Sequence, residues 1–486
     1  MLLHKLLSNI NCELNFHNNP QIFNLTCNSK TVAKNCVFAC LKGVNFDGHN
    51  FAKAALEQGA CAILVEKDLN LPNQIMVKNS HLAYAQMCAN FFDNPAQQLK
   101  LIGVTGTNGK TSISKTIKNL LCLQNKSVGL IGTIQNEIDN EAIQTEKTTP
   151  DHFEFQKLLR HMANKNVEFV VMEVSSHAID QHRTGNTEFE LGVFSNLSQD
   201  HLDYHGTMQA YYEAKKKLFN HCKIQLICID CPFGLKLATE LKQANKTVLT
   251  FTTNSNGDAD FVAKNIKLTG NNVAYLLAGS NFNEQIEFST PGLFSVQNSM
   301  AAAISCFVLG FKSKAIANSM KLCKPIKGRS ETIEANLPFS IICDYAHTPD
   351  GLLNILNSIK TYCTGRIITV FGCGGDRDSK KRSLMGETAA QNSDFVIITS
   401  DNPRTENPEA IVEQISEGAK RFQTPFVKIV DRKKAIEFAI KTAKPNDVIL
   451  LAGKGHEPYQ VVGTEKLPFN EPEIVKKIVE KLQINK

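Results

Sequence analysis

Residues 101–112 read LIGVTGTNGKTS, and their types and order suit the grip of a polyphosphate. Gly106-Thr107-Asn108-Gly109 is a turn in which backbone N–H groups can point at phosphate oxygens. A helix opening at Lys110 would add partial positive charge. Lys110 can reach the outer phosphates, and Thr111, followed by Ser112, offers a hydroxyl to Mg²⁺. The spacing departs from the standard phosphate loop: Val104 stands where a glycine is usual, with Gly103 one place earlier. A glycine-rich turn alone is often only a tight turn. Here an apolar run, 101–104, precedes it and a helical pattern follows, so a bound nucleoside triphosphate is the expectation.

Other chemistry-bearing residues recur after apolar runs. Glu173 lies at the end of the strand candidate FVVMEV (169–174), which Ser175 follows. A carboxylate at the end of a buried strand is costly unless paired or bound to metal. Beside a phosphate loop, a hard-cation ligand is a more economical reading than a turn cap. SNLSQDHLDYHG (195–206) packs Asn196, Asp200, His201, Asp203 and His205 into one turn region, where several histidines together point to a site. Further on come DYAHTPD (344–350), GGDRD (374–378), DNPR (401–404) and GKGHE (453–457). Taken alone, Asp344 reads as a helix cap with Pro349 just after it, and DNPR as a turn.

The elements that must position these residues fall into three blocks: 1–98, 99–327 and 328–486. The first alternates short strands and helices around CVFACL, FAKAALEQGA and CAILVE, opens on an amphipathic helix, and is broken by Asn94-Pro95. The second holds apolar strand candidates at 128–134, 169–174, 191–197 and 224–230, separated by helical patterns. That alternation predicts a parallel sheet covered on both faces. Residues 247–290 alternate and read as antiparallel strands, with a helix near 297–310. The third block repeats the alternation in SIICDYA, RIITVFG, FVIITSD, FVKIV and DVILLAG. It predicts a doubly wound, Rossmann-like sheet whose polar motifs follow the carboxyl ends of its strands, where ligands bind. The fold class is therefore α/β in three domains, with a central P-loop ATPase-like sheet and a C-terminal doubly wound one.

Composition narrows the class of protein. At 486 residues, roughly two to four domains are expected. The chain is 42% hydrophobic and 21% charged, ordinary for a soluble globular protein. A net charge of +6 is too mild to suggest nucleic-acid binding. His4 and Lys5 interrupt the opening apolar stretch, so no signal peptide is expected, and no run is long enough to span a bilayer. The 15 cysteines lie mostly in apolar runs, as at Cys61, Cys306 and Cys343. Cys228 and Cys231 form a C-x-x-C with no second pair, which favours buried, reduced thiols in a cytoplasmic protein over a metal site.

The T-G-T-N-G-K-T form resembles the Mur ligase and folylpolyglutamate synthetase superfamily, ATP-dependent enzymes that join an acid to an amine. TTP (148–150), EVSSHAIDQHR (173–183), NLSQDHLDYHG and YYEAKKKLF (211–219) follow in the order seen in Mur ligases. The likeness covers nearly the whole chain and is specific to the enzyme adding the third residue of the bacterial peptidoglycan stem peptide. It implies ATP and Mg²⁺ as cofactors, with Thr111 and Glu173 holding one Mg²⁺, and His201 and Lys215 helping to hold a second. Lys215 matches a lysine carrying a CO₂-derived carbamate. Such a carbamate can ligate a cation where an ammonium cannot. Lys216 and Lys217 are neighbours, and the A-K-x-x-L-F frame picks Lys215.

The resemblance further implies that Gly106, Thr107, Asn108, Gly109, Lys110, Thr111 and Ser112 hold ATP, with Asn298 near the adenine and Arg329, Asp344 and His347 contacting the nucleotide. Ser29, Val44, Asn45 and Phe46 fall where the family binds the uridine end. There Lys30 stands for a commoner arginine and Asn28 for an aspartate. Thr148, Thr149, Ser175, Gln181 and Arg183 match substrate-binding positions, and Arg183 suits the anionic groups of a nucleotide-linked peptide. Asp401, Asn402, Pro403 and Arg404 resemble the segment of enzymes that add meso-diaminopimelate; those adding lysine usually lack the arginine. Arg404 can hold the extra carboxylate with two parallel hydrogen bonds, and Arg377, Gly453 and Glu457 complete the matching pocket. Lys110, Glu173, His201 and Lys215 are the implied catalytic set.

The implied partners are a UDP-N-acetylmuramoyl-dipeptide, meso-diaminopimelate and ATP, with no nucleic acid or membrane and a monomer as the working state. The same ligation with L-lysine is the nearest rival. A P-loop ATPase or switch without ligase activity is the rival from another class, though it would not need the third-block motifs.

Overall fold

The computed structural model describes residues 1–43, 46–279 and 281–484. The chain forms two compact units. One consists of Met1–Thr105, Asn125–Gly192 and Ala214–Gln225, the other of Gly106–Gln124, Val193–Glu213 and Leu226–Lys486.

In the first unit, short β-rich runs become a five-stranded sheet. Strand Glu13–Leu14 pairs antiparallel with Gln74–Met76, and Ala62–Val65, Cys36–Ala39 and Asn24–Thr26 follow in parallel. Cys36–Ala39 and Ala62–Val65 are wholly buried, as strands covered on both faces must be. Helix Ser80–Phe91 is started by Asn79, whose side chain accepts from Leu82 N.

The opening amphipathic helix shrinks to Leu3–Leu6. Asn9 adopts a left-handed conformation (φ 62°), which ends any helix. Met1 N and Leu3 N instead donate to Ile22 O and Pro20 O, pinning the start of the chain to residues 20–22.

The same unit carries the parallel strands that lead to the sequence motifs. Phe169–Glu173 lies between Lys100–Thr105 and Val128–Ile131, parallel to both, and all three are buried except at Lys100. Helix His152–Asn164 turns Phe155, Leu159 and Met162 inward at helical spacing. Asn94 takes φ 50° just before the 3₁₀ turn Pro95–Gln98, so the Asn-Pro break falls where the sequence places it.

In the second unit, helix Lys110–Leu123 packs on Leu293–Val308. Four strands follow one another: Thr247–Thr252, Phe261–Leu268, Val273–Gly279 and Phe282–Phe288. The last three are antiparallel as expected, but the first pairs in parallel with the second. The reason is local. Asp260 accepts from Thr250 N and Oγ1, so the loop 253–260 carries the chain back to run alongside its own start.

The third block forms a six-stranded sheet in the order Glu331–Thr332, Ser340–Asp344, Val448–Ala452, Ile367–Phe371, Phe395–Ile398, Phe426–Lys428. All its pairs are parallel except the first, at the edge. Helices Pro349–Lys360, Lys381–Asn392 and Pro408–Ala419 supply the apolar layer on one face, with Leu352, Met385 and Ile415 fully buried. Arg432–Thr442 and Glu471–Ile484 supply the other, through Ala435, Ala439 and Val475. This is the doubly wound sheet that the alternation predicts.

Candidate active site

The phosphate turn belongs to the second unit, and its shape is held from the segment 195–198. Thr107 N donates to Asn196 O (2.9 Å) and Asn108 N to Asn196 Oδ1 (3.0 Å). Ser195 Oγ donates to Asn108 O (2.6 Å), while Thr107 Oγ1 donates to Ser198 O (3.2 Å). Two glycines are obligatory here. Gly106 has φ 148°, and a Cβ on it would collide with Ser195 Oγ. Gly109 has φ 88°, and a Cβ would sit 2.5 Å from Asn298 Oδ1. Asn298, expected near an adenine, is thus buried directly behind the turn.

Lys110 folds back, its ammonium donating to Gly106 O (3.0 Å) and Thr107 O (2.8 Å). Those carbonyls hold it beside the place where phosphate oxygens would lie. Thr111 Oγ1 accepts from Arg329 Nη2 at 2.9 Å, and the Arg329 guanidinium lies 4.6 Å over the Tyr345 ring. Ser112 is half-buried. Asp344 is not a helix cap: it accepts from Ser330 N and Ala346 N, both at 2.7 Å, and closes that turn. Desolvation pushes its carboxyl above the ordinary range, against the pull of Arg329. The cap of helix Pro349–Lys360 is Thr348, because only its side chain reaches Gly351 N. Asp350 accepts from Asn108 Nδ2 at 2.8 Å, tying the turn to that helix.

The turn 195–206 contributes Asp200 and His201. His201 takes φ 54° at the start of helix Leu202–His205, and its ring meets Tyr211 edge-on. Asp200 is buried with Lys381 Nζ 3.2 Å away; His201 Nε2 (3.4 Å) and His347 Nε2 (3.6 Å) lie on its other oxygen. Burial alone would raise this carboxyl, but Lys381 and the two imidazoles together hold it well below the ordinary range.

The third-block motifs meet at the carboxyl ends of their strands. A Cβ on Gly374 would lie 2.9 Å from Arg404 Nη1 and 3.8 Å from Arg377 Cγ, so both arginine side chains flank this glycine. Arg404 has φ 51° and donates to Gly375 O (2.7 Å), while exposed Arg377 donates to Asp376 O (2.9 Å). Desolvation and the charge of Arg377 both lower the pKa of Arg404, a position that favours an incoming anion. Pro403 O lies close against Gly375. Asp401 Oδ2 lies against Gly453. Asn402 Nδ2 donates to Glu457 Oε2 at 2.9 Å. Lys454, fully buried, sits among Asp401, Asn402 and Glu457.

In the first unit, Glu173 is 1% exposed and accepts from Thr133 N (2.8 Å) and Thr133 Oγ1 (2.9 Å). Thr133 Oγ1 and Thr148 Oγ1 lie 3.1 Å apart. Thr149 Oγ1 donates to Glu173 O (2.8 Å) and accepts from Ser175 N (3.0 Å), and Ser175 caps helix Ser176–Asp180. Arg183 donates through Nε and Nη2 to Gln181 Oε1 and through Nη1 to Thr149 O. These positions thus form one cluster. Lys215, on helix Met208–Lys216, is 1% exposed; Lys216 is half-buried and Lys217 is exposed against Asp180. Burial therefore singles out the lysine that the frame selects.

At the first block, Ser29 lies in the 3₁₀ turn Ser29–Thr31, capped by Asn28 through Lys30 N. Phe46 is 60% exposed. Val44 and Asn45 lie outside the described residues. All fifteen cysteines are free thiols; nine are buried, while Cys61, Cys231 and four others are half-buried.

Sequence reasoning passed over Thr133, Asp350, Lys381 and Lys454. Lys454 stood inside a quoted motif, GKGHE, Asp350 inside DYAHTPD and Thr133 inside the strand candidate 128–134, but their partners lie far along the chain, as does that of Lys381, so no local signal singles them out. Among the described residues, no helix is long and apolar enough to cross a membrane.

A glycine turn opening a helix, with polar loops gathered at the carboxyl ends of a doubly wound sheet, defines a phosphate-loop α/β protein. Family models described as "Mur ligase family, catalytic domain", "Mur ligase middle domain" and "Mur ligase, glutamate ligase domain" match residues 21–102, 104–306 and 328–455. The chain belongs to the Mur ligase family. It is 41% identical to the UDP-N-acetylmuramoyl-L-alanyl-D-glutamate--2,6-diaminopimelate ligase of Caldanaerobacter subterraneus subsp. tengcongensis, over 99% of both chains. It is 40% identical to the protein of the same name from Clostridioides difficile, over 98% of this chain and 97% of the other. A solved structure of a UDP-N-acetylmuramoyl-L-alanyl-D-glutamate--2,6-diaminopimelate ligase matches with TM-score 0.68 and 31% identity, over 96% of this chain and 98% of that one.

Proposed function

We propose that the protein is an ATP-dependent ligase that adds meso-diaminopimelate to UDP-N-acetylmuramoyl-L-alanyl-D-glutamate in peptidoglycan precursor synthesis. The observation that carries this reading is the pair of arginine side chains, Arg377 and Arg404, that flank Gly374 in the unit that also holds the phosphate turn. Both donate to backbone carbonyls, and both side chains carry a charge suited to a carboxylate. Diaminopimelate has such a carboxylate beyond its reacting amine, and lysine does not. A site built to pair an arginine with that carboxylate rejects a ligand that leaves the arginine unpaired.

In this reading the glutamate γ-carboxylate attacks the terminal phosphorus of ATP, giving an acyl phosphate and ADP. The amine of diaminopimelate then attacks the acyl carbon. The tetrahedral intermediate loses a proton and expels phosphate, leaving the amide. Lys110 offsets charge on the transferring phosphoryl group. Gly106, Thr107, Asn108, Gly109 and Ser112 cradle the nucleotide, with Asn298, Arg329, Asp344 and His347 around it. Thr148, Thr149, Ser175, Gln181 and Arg183 hold the nucleotide-linked peptide, and Ser29, Val44, Asn45 and Phe46 its uridine end. Asp401, Asn402, Pro403, Gly453 and Glu457 shape the amine pocket.

Thr111 and Glu173 offer hard oxygen donors of the kind Mg²⁺ takes. Lys215 as its carbamate, with His201, would supply donors to a second ion, since a carbamate is an anionic oxygen ligand and an ammonium is not. Bound Mg²⁺ would neutralise phosphate oxygens. The division into 1–98, 99–327 and 328–486 assigns one substrate to each block. The protein acts as a monomer in the bacterial cytoplasm, where nucleotide-linked precursors are made.

The test is phosphate release with the UDP-linked dipeptide and either amine. Release that requires both the dipeptide and meso-diaminopimelate supports the reading. Equal release with L-lysine, or hydrolysis of ATP without any amine, overturns it.

A further inference from the structure

Lys454 is a charged residue buried without any exposure, so its ammonium must be matched inside the fold. It is matched by three acceptors. Lys454 Nζ donates to Asn402 Oδ1 (2.8 Å) and Glu457 Oε2 (3.0 Å) and lies 3.7 Å from Asp401 Oδ1. Asn402 Nδ2 donates to the same Glu457 oxygen at 2.9 Å, which closes a triangle between the loops that follow Phe395–Ile398 and Val448–Ala452.

The triangle also reaches the guanidinium clamp. Asn402 Oδ1 accepts a second bond from Val461 N (2.9 Å), and Val461 O in turn accepts from Arg404 N (3.1 Å). Arg404 and Val462 form a parallel bridge beside the hairpin Tyr459–Val462 and Glu465–Pro468. Three hydrogen bonds therefore run from the buried ammonium, through Asn402 and Val461, to the backbone of Arg404, whose φ of 51° needs support from its surroundings. Glu457 is fixed by the same ammonium through one carboxylate oxygen.

We propose that Lys454 is a positioning residue for the amine substrate: it sets Glu457 directly, and Arg404 through Asn402 and Val461, so that one carboxylate and one guanidinium face the amino-acid head. This rests on the function proposed above, but not wholly. The relay is a structural claim that can be read without turnover.

The experiment uses the full chain carrying Lys454→Met, which keeps length and removes the donor. Steady-state assays should give a KM for meso-diaminopimelate raised roughly tenfold or more, the loss expected of hydrogen bonds to a charged group. The KM for ATP should stay within about twofold, because the phosphate turn is not part of the relay. Hydrogen exchange should quicken at the Arg404 and Val461 amides and stay slow in Val448–Ala452. Should Lys454→Met not fold, Asn402→Ser cuts the same relay with a smaller change and must give the same pattern. Equal rises in both KM values, or unchanged exchange at Arg404 and Val461, would overturn the proposal. A wild-type protein without diaminopimelate-dependent phosphate release would defeat the proposed function instead, and the exchange result would still judge the relay.

Discussion

Asp200 and Lys381 are 181 residues apart in the chain and 3.2 Å apart in the fold, both nearly buried. The aspartate comes from the histidine-rich turn of the second block and the lysine from the first turn of helix Lys381–Asn392 in the third. His201 and His347 stand on the other carboxylate oxygen. One carboxylate thus gathers three side chains from three separate segments, two of them implied in nucleotide or metal contacts.

Removing one partner of a buried pair leaves the other charge uncompensated, at a cost of about 3–5 kcal/mol. Lys381→Met should fall at the low end of that range, since two imidazoles remain beside Asp200. Denaturant unfolding checks this. A loss no larger than that of an exposed pair, such as the one removed by Lys321→Met, would mean that the pair contributes little.

Arg404→Ala removes the guanidinium beside Arg377. Truncating one side of a desolvated charge contact costs about 2–5 kcal/mol, so the KM for meso-diaminopimelate should rise roughly 30-fold or more. The KM for ATP should change little. Equal effects on the two would contradict a carboxylate clamp.

Lys215→Ala should lower turnover on the order of 100-fold, the scale seen when the support of a bound ion is lost. Acetate or another short carboxylate should recover part of it by replacing the carbamate. A variant with full activity would remove the carbamate role.

His152 sits 3% exposed, its Nε2 hydrogen-bonded to Gln181 O at 3.0 Å. Burial, helped by the charge of nearby His81, lowers its pKa to about 3. The folded state therefore keeps the ring neutral, while the unfolded chain takes up a proton below about pH 6.5. Stability must fall as pH drops from that point toward 3. His152 should account for about 2 kcal/mol of the loss between pH 6.5 and 5. His152→Gln should flatten the fall in Tm over that window, and an unchanged slope would show that the ring is protonated in the fold.

Local signals made much of this fold legible. The runs around 101–104, 169–174 and 448–452 are apolar throughout because strands buried on both faces have no polar side to show. Gly106 and Gly109 mark a turn whose backbone no other residue fits. The opening helix failed because Asn9 breaks it and chain-end bonds to Pro20 and Ile22 outweigh a weak helical pattern. The direction of Thr247–Thr252 was hidden because alternation reports which face is buried, not which way the neighbour runs.

The same division holds at the site. Residue types and spacing by themselves determined that a phosphate turn exists, that Lys110 and Thr111 open its helix, and that GGDRD, DNPR and GKGHE follow the carboxyl ends of strands. Short-range backbone and periodicity rules are enough for that. Only the tertiary structure decided that Arg377 adjoins Arg404, that Lys454 links Asn402 with Glu457, and that Asp200 meets Lys381. The contacts of Lys454 with Asn402 and of Asp200 with Lys381 join residues that no local preference relates, and they arise where burial makes an unpaired charge too costly to leave alone.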